Sequence, residues 1–140
     1  MILYFKRYLW FVLLCCSFSV AHAAELYVVV SNNLRGTSFT QGEIKHILLG
    51  EITSVKNARV KLIYPSYSSQ AIVTLSMFVG KGSNVRDLKS YWSKMIFTGR
   101  GNPPETADTD AELKKFLAED NAIGVTTNPA GMNVVYTINI

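Results

Sequence analysis

The chain has 140 residues, a formal net charge of +4 and two cysteines. Read without a leader of 23 residues, argued next, it keeps 117 residues, no cysteine, and twelve basic against ten acidic side chains, a net +2. That length suffices for one domain with its own core. The balance excludes a disulfide framework, thiol chemistry and a field strong enough to argue for nucleic acid.

In chain order, Lys6 and Arg7 supply positive charge, and residues 8–20 form an uncharged, mostly apolar run of 13 residues. A helix needs about 20 apolar residues to cross a bilayer. Ala21-His22-Ala23 follows as an A-x-A cleavage pattern. We read residues 1–23 as a secretory signal peptide cleaved after Ala23, and residues 24–140 as one exported, periplasmic domain with no membrane span after cleavage. An uncleaved N-terminal anchor is the alternative. Acylation at Cys15 or Cys16 would put Leu14 or Cys15 where a small residue is usual.

Residues 26–30 are a continuous β-branched and aromatic run, the pattern of a strand covered on both faces, as in a parallel sheet. Thr40 and Glu43 form a capping box, Phe39 and Ile44 a hydrophobic staple, and Ile44, Ile47 and Leu48 one apolar face ending at Gly50. This predicts a helix. Residues 60–64, closed by Pro65, predict a second strand. Residues 69–79 predict a helix with two apolar stripes, Ile72, Leu75 and Val79 on one side and Val73 and Met77 on the other. Such a helix is buried on two sides or meets a partner, and burial is the preferred reading. Residues 84–97, capped by Asn84, place Leu88, Tyr91, Trp92, Met95 and Ile96 on a single core face. Gly99, Gly101, Pro103 and Pro104 mark a turn-rich connection. Thr109 and Glu112 form a second capping box before Leu113, Phe116 and Leu117. Residues 122–125 predict a brief strand, and Val134, Tyr136, Ile138 and Ile140 alternate as in a half-buried one. The order is strand, helix, strand, three helices, two strands: an α/β fold with a central, mostly parallel sheet, flanking helices and a right-handed strand–helix–strand unit at its start.

Chemistry is sparse. His46 is the one histidine left after the leader, and it stands at the rim of an apolar stripe. Glu43 and His46 share a helix face, but two ligands do not define a metal site. No nucleophile–base pair is evident, so no catalytic residue, no metal and no cofactor is assigned, and the chain reads as a non-enzyme. Gly80-Lys81-Gly82-Ser83-Asn84 follows a helix rather than a strand, so a capped turn is preferred over a phosphate nest. Ser66-Tyr67-Ser68-Ser69 leaves a strand and enters a helix, at the edge where open α/β sheets bind ligands. Serine hydroxyls and free helix N–H groups there suit an oxyanion, and they equally suit simple capping.

Residues 43–50 resemble the early helix ending in F-x-G of phosphate-binding periplasmic proteins of uptake transporters. Residues 90–104 are similar to the Y-W…F-x-G-x-G-x-P-P segment of short phosphate-receptor-like proteins, and Ala122-Ile123-Gly124-Val125 resembles their A-I-G-Y strand. The resemblance implies a single lobe of a periplasmic-binding-protein-like fold. By position it implies anion contacts from Ser31 and Asn32 after the first strand and from Ser66, Ser68 and Ser69 after the second. The family's R-x-D-x-S-G-T loop is reduced here to those serines. Two functions follow as expectations: an ABC-transporter-associated protein that recognises phosphate or another small anion, or an envelope accessory protein that uses the same fold to bind a protein partner. A homodimer is compatible with both.

Overall fold

A computed structural model describes residues 25–119 and 121–140. The signal peptide expected over residues 1–23, its cleavage site, and Cys15 and Cys16 lie outside the described residues.

Strand β1 (Glu25–Val30) leads through a single 3-10 turn into helix α1 (Gln41–Leu48). Thr40 accepts the Glu43 N–H at 3.2 Å, and the Glu43 carboxylate accepts the Thr40 N–H at 2.8 Å. The expected capping box is therefore complete. A short hairpin, β2 (Ser54–Val55) and β3 (Ala58–Arg59), precedes β4 (Lys61–Pro65). Its turn residues Lys56 and Asn57 have φ of 51° and 63°, the left-handed pair that a two-residue type I′ turn requires. Sequence reasoning missed this hairpin because neither turn residue is glycine.

Helices α2 (Gln70–Phe78) and α3 (Val85–Phe97) follow, then β5 (Glu105–Ala107), α4 (Asp110–Glu119), β6 (Ala122–Thr126) and β7 (Asn133–Asn139). The Asn84 side chain accepts the Arg86 N–H, so the preceding glycine turn ends in a capped helix as expected. At α4, Thr109 accepts from Glu112 N, but the Glu112 carboxylate reaches Asp108 N rather than Thr109 N. Strand β5 lies in the stretch expected to be only a connection; three residues are too few to show a period.

The sheet order is β5-β4-β6-β1-β7. Strands β4, β5 and β6 pair in parallel, while β1 runs antiparallel to both neighbours, β6 and β7. Four of five strands thus share one direction, and the expected α/β architecture with a mostly parallel sheet is present. The strand–helix–strand unit expected at the start is corrected, since β1 is reversed and separated from β4 by β6. The long connection through α1 and the hairpin lets the chain re-enter in either direction. β1's direction is set by its ladders to β6 and β7. The parallel crossovers come later, from β4 through α2 and α3 to β5, and from β5 through α4 to β6.

One sheet face buries Val28, Tyr64, Ile123 and Ile138 against α1, α2 and α3; the other buries Val29, Ile63 and Ala122 against α4. The sheet is therefore covered on both sides, which is why β1 and β6 read as nearly unbroken apolar runs. Gly124 keeps the α4 side thin: a Cβ there would come within 2.6 Å of Leu113 Cδ1.

Two expected apolar faces are incompletely covered. On α2, Ile72 and Leu75 are buried, as is Val79 at its C-cap, but Met77 of the second stripe is 38% exposed. On α3, Leu88 and Trp92 are buried, whereas Ile96 is 47% exposed and the neighbouring Phe97 is 93% exposed. The alternation expected in β7 also breaks. Val28 pairs with Tyr136 and Val29 with Val134, so Val135 is a bulged extra residue. One inserted residue flips the face of everything upstream of it. Tyr136 and Ile138 accordingly join the core, while Val134 is exposed.

Candidate functional site

The five residues expected to contact an anion fall into two groups that the fold separates. Val30 and Leu62 both register against Ile123, so Ser31 lies level with Lys61, at the start of β4. Ser66 follows Pro65 at the other end of that strand. Five residues at about 3.3 Å each put roughly 16 Å between the two levels. The physical cause is the reversal of β1, whose C-terminal end meets the N-terminal ends of β4 and β6.

Ser31 is buried and closes the β1–β6 ladder. Its N–H donates to Ala122 O at 3.0 Å, and its hydroxyl accepts the Ala122 N–H at 2.8 Å. The Ser31 carbonyl accepts instead from Leu34 N, starting the 3-10 turn. The side chain thus supplies an acceptor where the main chain turns away. Asn32 is exposed, and its Oδ1 accepts from Asn133 Nδ2 at 2.9 Å, linking the turn to β7.

The serine turn at the other end is built differently. Ser66 O accepts both the Ser69 N–H at 3.0 Å and the Ser69 hydroxyl at 2.6 Å. The Ser66 and Ser68 hydroxyls lie 2.9 Å apart, and Ser68 N donates to Ser66 Oγ. Ser69 occupies the N-cap position of α2 yet makes no side-chain capping bond, because its hydroxyl turns back to Ser66. Among the described residues no side chain caps the start of α2, which stands beside two paired hydroxyls. A cation stands close by: Lys89 Nζ is 5.3 Å from the centroid of the Tyr67 ring. Burial pushes the Tyr67 hydroxyl above its ordinary pKa, so it stays a neutral donor.

This turn rests on an aromatic wall. Tyr67 packs on Tyr64, Tyr64 edge-on against Trp92, and Trp92 edge-on against Tyr91. Tyr64 and Tyr91 donate their hydroxyl protons to Leu48 O and Leu49 O, and Trp92 Nε1 donates to the Tyr64 oxygen at 3.1 Å. The carbonyls that α1 leaves unpaired at its C-terminus are thereby satisfied by side chains from β4 and α3. As the sequence expected, the aromatic face of α3 is core.

His46 pairs with Glu51 through Nδ1, and Glu43 is engaged in the cap of α1. Among the described residues no group of three His, Cys, Asp or Glu side chains is placed to hold a metal ion. No described helix is long and apolar enough to cross a membrane. The arrangement at the serine turn offers hydroxyls, backbone N–H groups and a nearby ammonium, chemistry suited to holding an oxyanion.

A cleft away from the serine turn was not anticipated from the sequence. It has a volume of about 840 Å³ and lies between α1, the hairpin and the connection from α3 to β5, with Arg59 and Arg100 among its lining residues. Arg59 belongs to β3 and Arg100 to the connection after α3, some forty residues apart, so no spacing in the sequence joins them.

No protein-family model matches the sequence, and neither does any curated protein. Among solved structures, the chain is similar to an ABC-type phosphate transport receptor from Vibrio cholerae, at 11% identity and a TM-score of 0.45. The match covers 80% of this chain and 46% of the receptor, so the chain spans about half the receptor's length.

Proposed function

We propose that this chain is an exported, non-enzymatic solute-binding-like protein that takes a small oxyanion at the serine turn entering α2. The observation that carries this reading is the N-cap of α2. Ser69 turns its hydroxyl back to Ser66, and among the described residues no side chain caps the first-turn N–H groups, which stand next to Ser66 and Ser68. A helix N-terminus with free donors favours negative charge, and Lys89 adds a cation nearby. The sequence resemblance makes phosphate the first ligand to test. Ser31 and Asn32 stand outside this site, at the other end of the sheet.

Isothermal titration with phosphate, sulfate and small organic anions tests the proposal. Saturable phosphate binding that weakens in a Ser66→Ala/Ser68→Ala variant supports it. Folded protein that gives no heat with any of these anions removes it. Export has its own check: the intact mass of the secreted protein should correspond to a start at Ala24.

One observation favours a second reading, an envelope protein that binds another protein. Phe97 is 93% exposed beside the half-exposed Ile96, and adjacent exposed apolar side chains mark interaction surfaces. Cross-linking in envelope extracts, compared between the wild type and Phe97→Ser, separates this reading from the first.

A further inference from the structure

We propose that the cleft beside the hairpin binds a small organic acid, a carboxylate carried on a hydrocarbon or aromatic body. This site shares no residue with the serine turn and does not depend on that reading. Its apolar lining comes from Ile47 on α1, Ile52 before the hairpin, Leu62 on β4 and Ile96 on α3. Arg59 on β3 and Arg100 on the connection after α3 add two guanidinium groups. Among the described residues neither has a carboxylate partner within ion-pair distance.

Charge selects the ligand class. Among the described residues, the charged ones lining the cleft are Arg59, Lys61, Arg100 and Glu105, and Glu105 is engaged by Lys61 at 3.4 Å. A carboxylate entering here meets two guanidinium forks and a neutralised carboxylate, whereas a cation meets repulsion. Arginine suits this role because its planar fork matches a carboxylate with two parallel hydrogen bonds.

The lining selects the body of the ligand. An inorganic anion would leave the isoleucines and Leu62 facing water and gain nothing from them, while a hydrocarbon or ring removes that surface from solvent. A volume of about 840 Å³ falls within the range of roughly 300–1,000 Å³ typical of small-molecule sites.

The wall that carries Arg59 is held in place. Lys61 N donates to Asn121 O at 2.8 Å, and Asn121 Nδ2 donates to Arg59 O at 3.1 Å, so the strand leaving the hairpin is tied to the start of β6. Gly50, in another wall, lies directly against the Trp92 ring. The indole is therefore placed to report occupancy.

The test is titration of the full chain with octanoate, its neutral and cationic analogues octanol and octylamine, and phosphate, followed by calorimetry and amide NMR shifts. Octanoate should bind saturably, with shifts at Gly50, Arg59, Ile96 and Gly101, and both analogues should bind at least about tenfold more weakly. An Arg59→Gln/Arg100→Gln variant should lose about tenfold in octanoate affinity. Ser66→Ala/Ser68→Ala should leave octanoate binding unchanged, so failure at one site is distinguishable from failure at the other. Both arginines are exposed, and if the double variant misfolds, Arg100→Gln alone carries the test. Absence of saturable octanoate binding overturns the proposal. So does equal binding of octanol, which would make the cleft merely apolar, or affinity unchanged in the arginine variant. Binding of an acidic peptide without octanoate overturns it in favour of protein docking.

Discussion

The Trp92 ring lies so close to Gly50 that a Cβ on that glycine would sit 2.6 Å from Cη2 and 3.2 Å from Cζ3. Gly50 also has φ of +71°, just past the C-terminus of α1. Two separate costs therefore fall on Gly50→Ala: a left-handed backbone with a side chain and an overpacked indole. We expect a loss of about 3 kcal/mol, measured by urea unfolding. A loss below about 1 kcal/mol would show that the ring moves freely, contrary to its buried hydrogen bond to Tyr64.

Gly124 meets a similar limit without backbone strain. An added methyl reaches Leu113 Cδ1 at 2.6 Å, the far end of a flexible side chain. Gly124→Ala should therefore cost less, about 1–2 kcal/mol. Leu113→Ala alone should cost about 2–4 kcal/mol through the cavity it leaves. The pair should be less destabilised than the sum of the singles, because each change relieves the other. Additive losses in a double-mutant cycle would exclude the contact.

Ser31→Ala distinguishes a structural serine from a ligand-binding one. Removing its hydroxyl leaves the Ala122 N–H without its acceptor in a buried position. The expected loss is about 1–3 kcal/mol, with phosphate titration of the folded protein unchanged. An unchanged unfolding midpoint together with altered anion binding would reverse that assignment.

Alkaline pH should unfold the protein through its tyrosines. Burial is the largest cause raising Tyr64 above the ordinary value of 10.0, and burial likewise raises Tyr67 and Tyr91. Above about pH 10 the unfolded chain releases these protons while the folded chain retains them. The folded state then binds more protons, so stability is full below pH 10 and falls as pH rises, with Tyr64 contributing about 1.4 kcal/mol per pH unit. Urea midpoints between neutrality and about pH 11, read beside tyrosinate absorbance, check this. A Tyr64 that ionises freely in the folded protein would contradict its burial.

What was legible in the sequence was local. The capping box of Thr40 and Glu43, the Asn84 cap and the face of Leu88 and Trp92 each depend on residues within one or two turns, and all are present. The serine turn was legible for the same reason, since its hydrogen bonds run between Ser66, Ser68 and Ser69. Glu105–Ala107 was missed because three residues carry no period, and the Lys56-Asn57 turn because its left-handed backbone lacks a glycine signal.

By itself the sequence determined an α/β chain with its helices in place and a serine-rich entry to α2. Tertiary structure decided the direction of β1, the bulge at Val135 that turns Val134 outward, the separation of Ser31 from Ser66, and the placing of Arg59 and Arg100 on one cleft. The physical reason is range. Caps and amphipathic faces are settled by neighbours along the chain, whereas a strand's direction and register depend on ladder partners about a hundred residues away, and β1 finds its partners in β6 and β7.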